Sequence, residues 1–125
     1  MDNKKKILIV DDDPFILDMY VLKLKEGNYQ IDTAANGKDA LKKMNEIKPD
    51  LLLLDVVMSG MDGFEVLAAL KKNPPEHPLK IILLTNLGQK EDVARGMSLG
   101  ADDYIIKAHF TPSEVVQKIE HLFGS

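Results

Sequence analysis

Short apolar runs separated by longer amphipathic segments set the pattern of this chain. Continuous apolar runs lie within residues 6–10, 50–54, 80–84 and 103–106, whereas residues 29–34 alternate apolar and polar side chains. Continuous runs of this length are typical of strands buried on both faces, as in parallel sheets covered by helices. The alternating run predicts a strand that lies nearer an edge of the sheet.

The segments between these runs carry helix start signals. Asp13 precedes Pro14, the arrangement of an N-cap residue with proline at the first helical position, and we expect Gly27 to close that helix. The last helix opens with Thr-Pro-Ser-Glu, a capping box. The side chains that can cap the other helices are Asn36 and Asp62, with Thr111 in the capping box.

Strand and helix patterns therefore alternate five times along the chain. This alternation predicts an α/β fold in which one five-stranded parallel sheet is flanked by five helices. A length of 125 residues is close to one domain, and no linker or internal repeat divides it. We expect residues 1–125 to form a single domain.

Composition and charge narrow the class of protein. The 20 acidic and 16 basic residues give a net charge of −4, which disfavours direct binding to a nucleic-acid backbone. Cysteine is absent, so disulfides and thiolate metal sites are excluded. Since no signal peptide and no membrane-spanning apolar run is present, we expect a soluble cytoplasmic domain that does not contact membrane.

Polar side chains that can do chemistry follow directly after several of the predicted strands. In open α/β sheets, ligands bind beyond the carboxyl ends of the strands. Each of these side chains alone has an ordinary structural explanation as a cap, a loop residue or a solvated charge. Together they place three carboxylates, a hydroxyl and an ammonium on one edge: Asp11, Asp12, Asp55, Thr85 and Lys107.

This combination favours a phosphoryl-transfer site. Crowded carboxylates repel each other unless a cation joins them, and oxygen ligands of this kind suit Mg²⁺. Asp55 follows a central strand and is the natural nucleophile, while a hydroxyl and an ammonium can receive phosphoryl oxygens.

Four segments in register resemble the receiver domain of two-component response regulators. They are residues 7–12 (ILIVDD), 50–66 (DLLLLDVVMSGMDGFEV), 81–85 (IILLT) and 100–107 (GADDYIIK). The resemblance spans essentially the whole chain. It implies a (βα)5 flavodoxin-like, doubly wound fold like that of the stand-alone chemotaxis regulators.

The resemblance also implies a role for each acidic residue. Asp55 would be the phosphoacceptor. Asp11, Asp12 and Asp55, with the backbone carbonyl of Val57, would hold Mg²⁺, and Asp12 is expected to be the more direct ligand.

Further roles are implied on the other side of the site. Thr85 would hydrogen-bond the phosphoryl group, Lys107 would pair with it, and Tyr104 would be the aromatic residue whose rotamer reports phosphorylation. Gly60 and Gly63 fit the turn after the active strand, where glycine permits a positive φ.

The function implied is a phosphorylation-controlled switch. A phosphohistidine on a sensor kinase or phosphotransfer protein would donate the phosphoryl group, and the change would appear on a surface formed by residues 89–99 and 103–123. The domain would catalyse only its own phosphorylation and dephosphorylation and would not be a free-standing enzyme. Its output partner is unknown, and the chain either acts alone or is a piece of a longer regulator.

Two other classes of protein use part of this pattern. An aspartyl-phosphate phosphatase of the haloacid-dehalogenase type also has an Asp nucleophile at a strand end, but that class needs a second Asp where this chain has Val57. An unphosphorylated receiver-like interaction module is the third reading, and the presence of Asp55, Thr85 and Lys107 argues against it.

Three features refine these expectations. The last predicted helix has no arginine with which to clamp a partner's acidic residues, so we expect a monomer or a weak dimer.

Val57 and Leu87 are apolar and cannot orient a hydrolytic water, which predicts a long-lived phosphoryl group. Ala108 replaces the usual proline, so we expect a trans Lys107–Ala108 bond, because cis bonds before other residues cost roughly 2.5–4 kcal/mol.

Overall fold

Five parallel strands form one sheet in the computed structural model, which describes residues 4–85, 90–107 and 111–123. The strand order is β2-β1-β3-β4-β5. The predicted α/β class is confirmed, and the alternating run is an edge strand, as predicted. The strands are β1 (Lys5–Val10), β2 (Tyr29–Ala34), β3 (Leu51–Asp55), β4 (Lys80–Thr85) and β5 (Asp103–Ile106).

Five helices connect and follow these strands. The predicted caps are confirmed: the Asp13 side chain accepts from Phe15 N–H, and Thr111 and Glu114 form a reciprocal capping box. The prediction that Gly27 closes the first helix is off by one turn, because the helix ends at Leu24. The helices are α1 (Pro14–Leu24), α2 (Gly37–Ile47), α3 (Gly63–Lys72), α4 (Lys90–Ser98) and α5 (Pro112–Leu122).

The sheet is covered on both faces, which explains the continuous apolar runs. Successive residues of a strand point to opposite faces. Ile7 and Ile9 accordingly join a core cluster with α1 and α5, while Leu8 and Val10 join a second cluster with α2 and α3. All four of these side chains are fully buried. Two-sided burial fixes the strands firmly, and their carboxyl ends form a rigid frame for a site.

The turn between β3 and α3 needs glycine at two positions for different reasons. Gly60 has a φ of +74°, as predicted. The same prediction for Gly63 is wrong. Gly63 begins α3, and a Cβ there would lie 2.5 Å from the carbonyl oxygen of Asp55. Gly63 is therefore required for close packing of α3 on the backbone of the active strand.

Some predicted features lie outside the described residues. These are the Lys107–Ala108 bond and the side chain of Leu87.

Within the described ranges, no helix is both long and apolar enough to span a membrane.

Replacing the two glycines with alanine should separate these two requirements. We expect Gly63→Ala to lower the free energy of unfolding by roughly 3 kcal/mol, because the new methyl group meets backbone atoms that cannot move aside. Gly60→Ala should cost only about 1 kcal/mol, since it adds left-handed strain without a collision. Urea denaturation of both variants measures the difference, and equal losses would contradict this explanation.

Candidate functional site

Three carboxylates meet at the carboxyl edge of the sheet. Asp11 and Asp12 follow β1, and Asp55 ends β3, which is the neighbouring central strand. One oxygen of each lies within 4.8 Å of the others. Asp11 and Asp55 are buried, whereas Asp12 is exposed. The parallel pairing of β1 with β3 places these side chains together, as the sequence predicted.

Lys107 joins the two buried carboxylates. It directly follows β5, and its Nζ donates to Asp11 Oδ2 at 2.9 Å and lies 3.2 Å from Asp55 Oδ2. The lysine was expected to pair with a phosphoryl group, and with Asp55 unmodified it bridges two carboxylates. Within the described ranges, Lys107 is the one ammonium paired with this group of three carboxylates, so the cluster keeps an excess of negative charge.

The pKa values of Asp55 and Lys107 reflect this crowding. Burial raises the pKa of Asp55 from 3.8 to about 6; the Lys107 charge opposes this rise and the Asp11 charge adds to it. Burial alone would lower the pKa of Lys107, but its hydrogen bond to Asp11 and the charges of both carboxylates raise it overall. Asp55 is thus a more basic carboxylate than usual, held beside a firmly protonated lysine.

Thr85 contributes a hydroxyl group at the end of β4, next to β3 in the sheet. The residue is 2% exposed, and its Oγ1 has no hydrogen-bond partner among the described residues. A buried hydroxyl without a partner is costly, and such groups in native proteins call for an explanation. An oxygen acceptor bound between Thr85 and Asp55 would supply the missing partner.

The loop after β3 is tied to the acidic cluster through backbone amides. Ser59 N–H donates to Asp12 Oδ2 at 3.2 Å, and Val57 N–H donates to Asp55 Oδ1 at 3.4 Å. The side chain of Val57 is 57% exposed beside the site. The contact of Ser59 with Asp12 had no signal in the sequence, because it is made by a backbone amide.

Two tyrosines lie on the elements around the site. Tyr104, the predicted reporter of phosphorylation, is in β5 and is 39% exposed; this role stays a prediction. Tyr20 was not predicted to have any relation to the site. It is buried on α1, and burial raises the pKa of its phenol. The Lys107 charge opposes this rise, and the charges of Asp11 and Asp55 add to it. A hydroxyl-bearing residue on an otherwise apolar helix face was its only sequence signal.

The donor set fits a hard divalent cation. Three carboxylates with oxygens within 4.8 Å, two of them buried, carry more negative charge than one lysine balances. Oxygen-only ligands of this type favour Mg²⁺ over softer metals. Asp11, Asp12 and Asp55 are the residues that could hold it.

Comparison with known proteins identifies the family. The model of the response regulator receiver domain matches residues 7–120. The chain belongs to this family and is therefore a signalling module of two-component systems.

Individual relatives agree with this assignment. The chain is 40% identical over 116 residues to the alkaline phosphatase synthesis transcriptional regulatory protein PhoP of Bacillus subtilis, covering 93% of this chain and 47% of PhoP. It is also 40% identical over 120 residues to the transcriptional regulatory protein ResD of the same organism, covering 96% of this chain and 48% of ResD. The chain thus spans about half the length of these curated relatives.

Solved structures share the fold closely. The chemotaxis protein CheY4 of Vibrio cholerae superposes with a TM-score of 0.86 at 30% identity, over 94% of this chain and 98% of that one. The receiver domain of a response regulator from Bermanella marisrubri gives a TM-score of 0.88 at 31% identity, over 98% and 100% of the two chains. The flavodoxin-like (βα)5 fold expected from the sequence is confirmed.

Removing the charge of Asp55 should stabilise the metal-free protein. The folded-state pKa of about 6 exceeds the ordinary 3.8, so ionised Asp55 destabilises the fold at neutral pH and protonation relieves this cost as the pH falls. We expect Asp55→Asn to raise the free energy of unfolding by about 1–3 kcal/mol at pH 7, and this gain should shrink between pH 6 and 4. Denaturation with a chelator present measures it. If the stability gained by Asp55→Asn instead increased as the pH fell, the raised pKa of Asp55 would be contradicted.

Proposed function

We propose that this domain is a phosphoacceptor switch that takes a phosphoryl group on Asp55 in the cytoplasm. The observation that carries the proposal is the meeting, on three neighbouring strand ends, of a buried, unusually basic carboxylate, a lysine and a buried hydroxyl that has no partner among the described residues. Each group has a part in phosphoryl transfer, and no other described part of the chain combines them. Membership of the receiver family supports the same reading.

The chemistry is a displacement at phosphorus. An Asp55 oxygen attacks the phosphorus of a phosphohistidine, the new O–P bond forms, and the P–N bond to the imidazole breaks. Lys107 already lies 3.2 Å from Asp55 Oδ2 and can turn from the carboxylates to the phosphoryl oxygens. Thr85 Oγ1, which has no partner in the described ranges, donates a hydrogen bond to one of those oxygens. Both contacts stabilise negative charge that the acceptor gains.

A divalent cation completes this site in the proposal. Asp11, Asp12 and Asp55 would hold Mg²⁺, with the backbone carbonyl of Val57 as a further ligand. When bound, Mg²⁺ neutralises the carboxylates and the phosphoryl oxygens. Without it, two phosphate charges would add to a cluster that already holds more carboxylates than ammonium groups.

The two rival functions are less well supported. A haloacid-dehalogenase phosphatase needs a second carboxylate two residues after the nucleophile, and that position is the apolar, exposed Val57. An interaction module that is never phosphorylated gives no reason for a buried Thr85 hydroxyl to which the described part of the chain offers no partner.

Acetyl phosphate tests the proposal directly. With Mg²⁺, we expect intact-mass analysis to show addition of one phosphoryl group to the wild-type chain, and with excess chelator the labelling should fall at least tenfold. Asp55→Asn should not be labelled, while the exposed acidic control Asp18→Asn should behave as wild type.

Two results would overturn this function. Equal labelling of Asp55→Asn would show that another residue accepts the phosphoryl group. Continuous release of nitrophenol from p-nitrophenyl phosphate by the wild type, lost in Asp55→Asn, would instead support the phosphatase.

The phosphodonor needs a docking surface beside Asp55, and α1 offers one. Phe15 and Leu22 are 73% and 70% exposed, and Met19 between them is 37% exposed. Their spacing of four and three residues places them on one face of the helix. The face begins two residues after Asp13, whose backbone N–H donates to Asp11 Oδ1 of the acidic cluster. We propose that the helix carrying the donor's phosphohistidine packs on this face. The imidazole must reach Asp55 from the side of the sheet where the carboxyl ends of the strands lie.

Truncating this face should slow transfer from a protein donor alone. A panel of autophosphorylated sensor kinases is tested first, and the kinase that phosphorylates the wild-type domain fastest serves as the donor. We expect the Phe15→Ala, Leu22→Ala double variant to accept from it at least tenfold more slowly, while labelling by acetyl phosphate stays within twofold. Met97→Ala, which trims an exposed apolar side chain of α4, is the matched control. Equal slowing with both donors would place the defect in the site and contradict the docking surface.

A further inference from the structure

Arg95 of α4 stacks on the ring of Phe64 of α3. The guanidinium carbon lies 4.3 Å from the ring centroid, within the range of a cation–π contact. Arg95 is exposed, whereas Phe64 is 5% exposed. A ring that belongs to the buried core thus receives a cation from the neighbouring helix over its face.

Phe64 is fixed to the phosphoacceptor strand through its neighbour Gly63. The N–H of Gly63 donates to the carbonyl of Val56 at 2.9 Å. A Cβ at Gly63 would lie 2.5 Å from the Asp55 carbonyl oxygen, so the two backbones are in direct contact. A shift of the backbone at Asp55 therefore moves the first turn of α3, where the ring of Phe64 is attached.

The helix α4 has few buried residues with which to hold its place. Of its nine residues, Gly96 is the buried one. A Cβ at Gly96 would lie 2.0 Å from Leu83 Cδ1 and 3.8 Å from Phe64 Cε1. The helix thus rests on Leu83 of β4 and on the same ring that Arg95 covers. Few buried contacts mean that a small free-energy difference can move α4.

We propose that Arg95 is a positioning residue that holds α4 against α3 while Asp55 is unmodified, through its stacking on Phe64. The proposal rests on the phosphoacceptor function of Asp55. Cation–π attraction requires the cation over the ring face, so displacement of the ring weakens it and frees α4. Because coupling between two sites is reciprocal, loss of the contact should also make Asp55 easier to load.

The test uses beryllium fluoride with Mg²⁺ as a phosphoryl analogue on the full chain. In Arg95→Gln we expect amide hydrogen exchange of residues 90–98 to be two- to fivefold faster without the analogue, the range that an exposed cation–π contact supplies. We also expect the affinity for the analogue, measured by NMR titration, to rise two- to fivefold. The difference in α4 exchange between loaded and unloaded protein should shrink.

Control variants distinguish the stacking of Arg95 on Phe64 from a general effect of positive charge on α4 and from a loss of folding. Lys90→Gln removes a cation from the start of the same helix and should leave affinity and exchange within the error of wild type. Arg95→Lys keeps a cation above the ring and should restore most of the wild-type values. Phe64→Leu removes the ring face and should reproduce Arg95→Gln; should it fail to fold, Arg95→Gln decides alone.

Each outcome bears on one proposal or the other. An unchanged affinity in Arg95→Gln, or an equal change in Lys90→Gln, would overturn the positioning role while leaving the phosphoacceptor function intact. If wild type binds no analogue, or if Asp55→Asn binds it equally, the phosphoacceptor function itself fails and the positioning role falls with it.

Discussion

The salt bridge of Lys107 with Asp11 and Asp55 is the interaction on which the site depends. It joins the ends of three strands, and the parallel sheet brings those ends together from residues 96 positions apart in sequence. Two buried carboxylates this close are tolerated because the ammonium lies between them. The compensation is incomplete, since burial keeps the pKa of Asp55 at about 6. The ammonium of Lys107 therefore holds the site together, but its single positive charge does not balance the three carboxylates.

The sheet can bear this electrostatic cost because its strands are buried on both faces. Leu51 to Leu54 of β3 are all fully buried, and so are Ile7 to Val10 of β1. Such strands cannot shift register without exposing apolar surface on one side or the other. The frame is consequently stiff where the carboxylates are attached. Burial of apolar side chains thus supplies the stability that a crowded acidic edge consumes.

The strands, the caps and the convergence of polar side chains on one edge of the sheet could be predicted because each has a local signal, while the roles of those side chains stay predictions. Continuous apolar runs indicated two-sided burial, and polar residues directly after those runs indicated the chemistry. The exceptions depend on packing between distant segments. Gly63 is required by contact with the Asp55 backbone and not by its own φ, and the stacking of Arg95 on Phe64 joins two helices that share no sequence pattern. The relation of the Tyr20 phenol to the charged groups of the site was not predicted, because helical periodicity does not show which charges lie near a buried side chain.

On the proposed function, one event would answer several unmet requirements at once. A phosphoryl group would give Thr85 Oγ1 its missing acceptor and Lys107 a new partner, and the cation that accompanies it would balance the carboxylates. A ligand shifts a conformational equilibrium only by its differential affinity for the two states. The sheet is stiff, so a movement at the end of β3 is expected to be small, and the larger displacement is expected where few side chains are buried. On the proposed coupling, α4 is the element that responds: it has a single buried residue, so a modest difference in free energy at Asp55 would be sufficient to change its position.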